Sequence, residues 1–335
     1  MHDSPQILVR HGVDLKAFRD EVTLAGVPVV FKDLVRDWPA VQAGLVSPRA
    51  LGEYLRGFDQ GKQVAVLEGP ASIRGHFFYR EDMRGLNFER RPATITATID
   101  RLLAQLEEPN PAALYIESTP TPDHLPPFAT ANRQPLLPES VVPRIWIGNT
   151  LTVQTHFDLS SNIACVVGGR RRFTLFPPQQ LPNLYMGPIE FTISGPPISM
   201  VSASNPDLVR FPRFAEAMAH AQSAELGPGD AIYIPYGWWH QVESLTAFNV
   251  LVNYWWNEAR QVGSPFDCML HGVLALRDLP ADQRKVWHAM FEHYVFTAAD
   301  EALAHLPREQ RGMLGPPSAE RTQAIRQILA RAFSR

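Results

Sequence analysis

Cysteine is scarce: the 335 residues include only two, Cys165 and Cys268. Two thiols cannot form the several bridges that hold small secreted domains together, so stability must come from an apolar core. Their surroundings predict free, buried thiols, one on a strand and one on a helix, in a reducing, cytoplasmic setting. A strong charge of one sign is missing as well. Lysine and arginine total 31 against 34 acidic residues, a formal net charge of −3. That balance forces no basic face, and nucleic acid is not expected as a partner. No apolar run is long and charge-free enough to cross a bilayer, so no membrane association is expected. The opening Met-His-Asp-Ser-Pro-Gln lacks the basic and then apolar order of a secretory leader. No solenoid period recurs.

Proline, in contrast, is plentiful: 30 residues, roughly twice the usual share of about 5%. They are scattered rather than clustered, which predicts many loops between short strands. With 45% hydrophobic and 19% charged residues, the chain can bury a core for one large or two modest domains.

Residues 1–111 read as mixed α and β, packed on the strand-rich core beyond them. Val27 to Phe31, Val64 to Leu67 and Phe77 to Tyr79 are short apolar strands, and Ser47-Pro48 is a helix start with proline at the first helical position. Ile95, Ile99, Leu102, Leu103 and Leu106 fall on one helical face. From residue 112 to 260 strands dominate, rich in β-branched and aromatic residues and separated by Gly, Pro, Asn and Asp. They run over Ala113 to Ile116, Arg144 to Gly148, Ser161 to Val167, Arg172 to Phe176, Ala231 to Ile234 and Phe248 to Trp256. No helical pattern alternates with them. The expected fold is therefore mainly β with helical additions, its core an antiparallel jelly roll. A long connection, residues 177–224, interrupts it and includes a short helix near 211–221. Residues 261–335 are helical. Val286, Met290 and Tyr294 share a face beside Trp287 and Phe291, and Ile325, Ile328, Leu329 and Ala332 line a last helix starting at Ser318. These apolar stripes need a surface to cover them, either the sheet or a second copy of the chain.

The chemistry concentrates in two segments. In Thr155-His156-Phe157-Asp158, alternate residues of a strand share a face, so one imidazole and one carboxylate point the same way. Alone, this pattern is more often that of a hydrogen-bonded histidine and a turn-forming aspartate. The second segment runs Gly227-Pro228-Gly229-Asp230, a tight turn, then Ala231 to Pro235, then Tyr236-Gly237-Trp238-Trp239-His240. His240, at the end of a core strand, is either packed among aromatics or the third ligand of a two-histidine, one-carboxylate metal site. Such a site leaves coordination positions open on one side for O2 and a cosubstrate.

The order of His-x-Asp, Gly-x-x-x-Phe-x-Leu-Phe-Pro-Pro, the GPGD segment ending in Trp-Trp-His, and Asn253-Tyr254-Trp255 resembles the cupin-like JmjC branch of the 2-oxoglutarate dioxygenases. There is a particular likeness to its asparaginyl hydroxylases. Thr155 to Pro178 and Gly227 to Trp256 carry the likeness most strongly, and it extends loosely over most of residues 20–260.

The resemblance implies Fe(II) held by His156, Asp158 and His240, with 2-oxoglutarate and O2 as cosubstrates. The expected reaction hydroxylates a C–H bond of a protein, a peptide or a small molecule, and releases succinate and CO2. It also implies cosubstrate contacts from Arg171, where the family has lysine, and from Tyr115, Asn162 and Asn253. Val153 stands where the family has threonine, so one hydroxyl contact is replaced by methyl groups. A homodimer through the C-terminal helices is implied by the same likeness together with the apolar stripes. Two other readings stay open on these residues, a metal-binding cupin with different chemistry and a catalytically silent binding protein of the same fold.

Overall fold

The structure, a computed structural model, describes residues 6–258 and 262–333. Two compact units divide the chain, Met1–Asn257 and Glu258–Arg335. The expected boundary at residues 260 and 261, and most of the N-terminal segment read for a leader, fall outside the described residues.

The described residues of the first unit form thirteen strands: β1 (Leu8–His11), β2 (Val29–Lys32), β3 (Gln63–Gly69), β4 (Glu89–Thr94), β5 (Ala113–Pro120), β6 (Pro143–Gly148), β7 (Leu151–His156), β8 (Ser161–Gly168), β9 (Arg171–Phe176), β10 (Gln222–Leu226), β11 (Ala231–Ile234), β12 (Trp239–Ser244) and β13 (Asn249–Trp256). Nine form one sheet in the order β1-β2-β11-β8-β13-β6-β5-β3-β4, and four form a second in the order β10-β9-β12-β7. Every pairing is antiparallel except β1 with β2. This is the mainly β, jelly-roll core that a run of short strands without intervening helices predicts.

The large sheet is covered on both faces, which explains why its central strands read as continuous apolar runs. Along β8, Ile163, Cys165 and Val167 pack in one cluster with Leu51, Leu55, Ile95, Ile99 and Leu102 of the helices Pro48–Arg56 and Ile95–Ala104. Ala164 and Val166 point the other way and meet Phe173, Leu175 and Val242 of the small sheet. The core thus has three layers, helices, large sheet and small sheet, and the site lies between the two sheets. Local signals set the helices. Ser47 Oγ accepts the Ala50 N–H at 3.0 Å, and Pro48 occupies the first turn.

Several expectations need correction. Residues 77–79 form no strand. Phe77 and Tyr79 are buried, but the Phe78 N–H donates to Asn87 Oδ1 and Asn87 Nδ2 donates to the His76 carbonyl, so a side chain takes the role of a neighbouring strand. The charged β4 and the short β10 escape a reading by hydrophobic alternation because both are edge strands with a solvated side. β7 ends at His156, so Asp158 lies just beyond the strand, and His240 is the second residue of β12 rather than the end of β11. Cys165 is buried but Cys268 is exposed, because its helix, Pro265–Leu276, buries none of its residues.

In the second unit, Ser264 and Ser318 accept N–H groups of Asp267 and Arg321 at helix starts. Ala281–Phe291 and Ala319–Phe333 are further helices. Val286, Trp287, Met290, Tyr294, Ile328 and Leu329 are exposed.

Gly148 faces Tyr115 where β6 crosses β5. A Cβ there would lie 2.8 Å from the Leu114 carbonyl oxygen and 2.9 Å from the Tyr115 ring. Gly148→Ala is therefore predicted to lower stability by about 1–3 kcal/mol, measured as a drop in the urea midpoint at unchanged slope.

Candidate metal centre

In the small sheet β12 lies antiparallel to β7, and His240 stands directly opposite His156. The next pair in register is Val242 with Val153, so β7 carries one residue more than its partner over this stretch, a β-bulge. The bulge changes the alternation, so that Val153 and His156, three residues apart, line the same cavity. The chain then turns after His156 and brings Asp158 in from the side. One ligand atom from each of His156, Asp158 and His240 falls within 4.8 Å of the others. The motifs grouped these three residues, and they do converge.

Each group is oriented by a second contact. His156 Nδ1 lies 2.8 Å from the Gln154 carbonyl oxygen, and His240 Nδ1 lies 3.0 Å from that of Trp238. A carbonyl can only accept, so each ring donates from Nδ1 and leaves Nε2 as the nitrogen available for a metal. Burial pushes the His240 imidazole down to about 4, helped by the neighbouring His156 and opposed by Asp158 and the Trp238 carbonyl. His240 is therefore a neutral donor at physiological pH. Trp255 Nε1 donates to Asp158 Oδ2 at 3.1 Å, and the Gly237 N–H donates to the Asp158 backbone oxygen at 3.3 Å. Two imidazole nitrogens and one carboxylate on one side suit a first-row divalent metal that keeps positions free.

An inner cavity of about 50 Å³ adjoins this group. Tyr115, Asn162, Arg171 and Asn253, all expected at the site, line it. Asn253 Nδ2 donates to Asn162 Oδ1 at 3.1 Å, and Trp146 Nε1 donates to Asn253 Oδ1 at 2.7 Å, so the two amides are held as one unit. Arg171 is the unusual member. Strand alternation turns its neighbours Arg170 and Arg172 outward to Glu225, while Arg171 is 2% exposed. Its Nε and Nη2 are buried without a hydrogen-bond partner among the described residues. Burial lowers its affinity for the proton and raises that of its neighbour Tyr115, which keeps the Tyr115 hydroxyl neutral. A buried cation without a counter-ion is costly, and an anion entering this cavity would complete it. Val153 brings methyl groups where a hydroxyl was expected. Thr155 is fully buried, and its Oγ1 has no hydrogen-bond partner among the described residues.

An outer pocket of about 360 Å³ shares His156, Asp158, Tyr115, Trp146, Val153 and Trp255 with the inner cavity. Trp255 closes the Asn253-Tyr254-Trp255 motif but is given no role at the site by it, and Trp146 lies in none of the motifs. Alternation carried a signal for Trp255, which lies two residues beyond Asn253 on the same face of β13.

The family model described as a cupin-like domain matches residues 15–261. The chain belongs to this cupin-like, JmjC-domain family. Among its relatives, lysine-specific demethylase JMJ31 of Arabidopsis thaliana is 42% identical over 102 residues, 30% of this chain and 18% of that protein. Human HSPB1-associated protein 1 is 40% identical over 114 residues, 33% of this chain and 22% of that protein. Jumonji C domain-containing protein 5 of Drosophila melanogaster is 26% identical over 259 residues, 76% of this chain and 60% of its own length. The matched stretch thus spans less than a quarter of the first two relatives. None of the three is named as an asparaginyl hydroxylase.

If Arg171 is held at a cost to the fold, Arg171→Met is predicted to stabilise the metal-free protein by roughly 1–3 kcal/mol. Thermal and urea unfolding of the two proteins in anion-poor buffer measure it.

Proposed function

We propose that the protein is an Fe(II)- and 2-oxoglutarate-dependent oxygenase that hydroxylates a C–H bond of a protein or peptide side chain. The observation carrying this reading is that one jelly-roll interior joins an open His156, Asp158 and His240 group to the buried, uncompensated Arg171. A metal answers the first and a dicarboxylate answers the second. The three ligand residues would hold the iron. Arg171 would take the far carboxylate of 2-oxoglutarate as a charge-assisted pair, the neutral Tyr115 hydroxyl would donate to it, and Asn162 and Asn253 would line its chamber. When bound, iron and cosubstrate supply an oxidant derived from O2, with succinate and CO2 as co-products.

The chain's own part is positioning. The Gln154 and Trp238 carbonyls keep Nε2 of each histidine free for the metal, and Trp255 fixes the Asp158 carboxylate. Trp146 and Trp255 wall the passage between the two cavities, which keeps the reacting atoms apart from bulk water. The names of the demethylase and of the HSPB1-associated protein support a protein as substrate, and the asparaginyl-hydroxylase likeness of the motifs makes a side-chain amide one candidate. A cytoplasmic setting fits the reduced thiols, and no described helix is long and apolar enough to cross a membrane. A second reading, a metal-binding protein of this fold without 2-oxoglutarate turnover, is favoured only by Val153 in place of a hydroxyl.

Anaerobic addition of Fe(II) and then 2-oxoglutarate is predicted to raise a visible charge-transfer band that needs both additions and is absent in His156→Ala. Iron binding without the band would instead select the second reading. The helical unit is proposed to join two copies through its exposed Val286, Trp287, Met290 and Tyr294. Light scattering of the full chain should then give twice the monomer mass, and a monomer mass removes the dimer.

A further inference from the structure

We infer that Arg144 is a specificity residue selecting a substrate with a carboxylate close to the carbon that is oxidised. The inference rests on the oxygenase reading and narrows its substrate class.

Apart from the metal group, two charged side chains line the outer pocket, Glu117 and Arg144. Glu117 is already engaged. Arg90 pairs with it at 3.3 Å and Ser194 Oγ donates to it at 2.9 Å. Arg144 has no carboxylate within ion-pair distance among the described residues. Its Nη1 donates to the Ser118 carbonyl at 2.7 Å and to Ser118 Oγ at 3.1 Å. Among the described residues, Nη2 and Nε have no such partner.

This placement is built into the fold. The register of β5 against β6 breaks between Ile116 and Thr119, and the bulge holds Ser118 at φ 47°. That is left-handed backbone which a residue with a Cβ avoids unless its surroundings enforce it. The strained residue is the one that anchors the guanidinium. On its other side Arg144 lies over the Trp255 ring, 5.7 Å from the centroid, and that indole N–H donates to Asp158. One aromatic ring therefore separates the cation from a metal ligand.

A guanidinium fixed at one nitrogen, resting on an aromatic floor and with donors to spare, is suited to binding a carboxylate in a planar, two-point pair. A lysine or arginine side chain would be repelled from the same mouth. A neutral amide would gain hydrogen bonds but no charge.

The test uses the full chain loaded with Fe(II) and 2-oxoglutarate, and pools of acetylated, amidated tripeptides. One pool has Asp or Glu at the centre, and a matched pool has Asn or Gln. A third pool has Asn or Gln with a free C-terminus, which separates side-chain from terminal carboxylates. Succinate release above the peptide-free rate is one readout, and saturation-transfer NMR of peptide bound under anaerobic conditions is the other. A carboxylate-bearing pool should exceed the amide pool by about tenfold, the difference expected between a charged and a neutral hydrogen-bond partner. The ratio should fall towards one in Arg144→Gln and survive in Arg144→Lys. Equal pools, an amide preference, no response to any pool, or an acid preference unchanged in Arg144→Gln would each overturn the inference. The charge-transfer band and peptide-free succinate report on the oxygenase reading beforehand. If those are missing, the NMR arm still decides whether Arg144 prefers a carboxylate.

Discussion

The register of β7 against β12 is the constraint on which the site depends. His156 and His240 are opposite each other in that ladder, and a slip of one residue would turn one imidazole to the other face of the sheet. The neighbouring bulge lets Val153 share the cavity with His156, and β7 ends at His156, just before Asp158. The backbone carbonyls of Gln154 and Trp238, each two residues before its histidine, then fix both rings. The orientation of the histidines thus comes from the strands themselves and needs no outer shell of side chains. Asp158, lying off the strand, does need one, and Trp255 supplies it.

The interior between the sheets carries an unusual polar load for a jelly roll, with Arg171, Asn162, Asn253 and His240 all buried. The fold can bear it because the opposite face of the large sheet is packed by helices into an uninterrupted apolar cluster. The N-terminal region extends that sheet with β1 to β4 and covers its outer face. Cohesion on one side of the sheet thereby offsets desolvated polar groups on the other.

Charge is distributed in the same spirit. Arg170 and Arg172 share Glu225 at the surface, and Arg90 shares Glu117 at the pocket rim. Arg171 and Arg144 face the inner and outer cavities without carboxylate partners among the described residues. On the proposed function, the first would meet the cosubstrate and the second the substrate.

Much of this was legible in the residues. Richness in β-branched and aromatic residues between turn residues gave away β8, β9 and β13, Ser47-Pro48 marked a helix start, and the His-x-Asp and Trp-Trp-His segments named the three converging groups. Such features depend on neighbours a few positions away, so the sequence alone determines them. Other features were decided only by tertiary structure. Phe77 to Tyr79 looks like a strand, but Asn87 takes the hydrogen bonds a partner strand would need. Cys268 looks buried, but its helix buries no side chain. Trp255 closes the Asn253-Tyr254-Trp255 motif without a role that the motif assigns, and Arg144 carries no motif; their placement arises because β13 and β6 lie side by side and a bulge in β5 reaches over to hold the arginine. Strand pairing, bulges and the engagement of buried charges depend on residues distant in sequence. Periodicity fixes which face of a strand is apolar, while long-range packing decides which strand lies opposite and which polar groups meet.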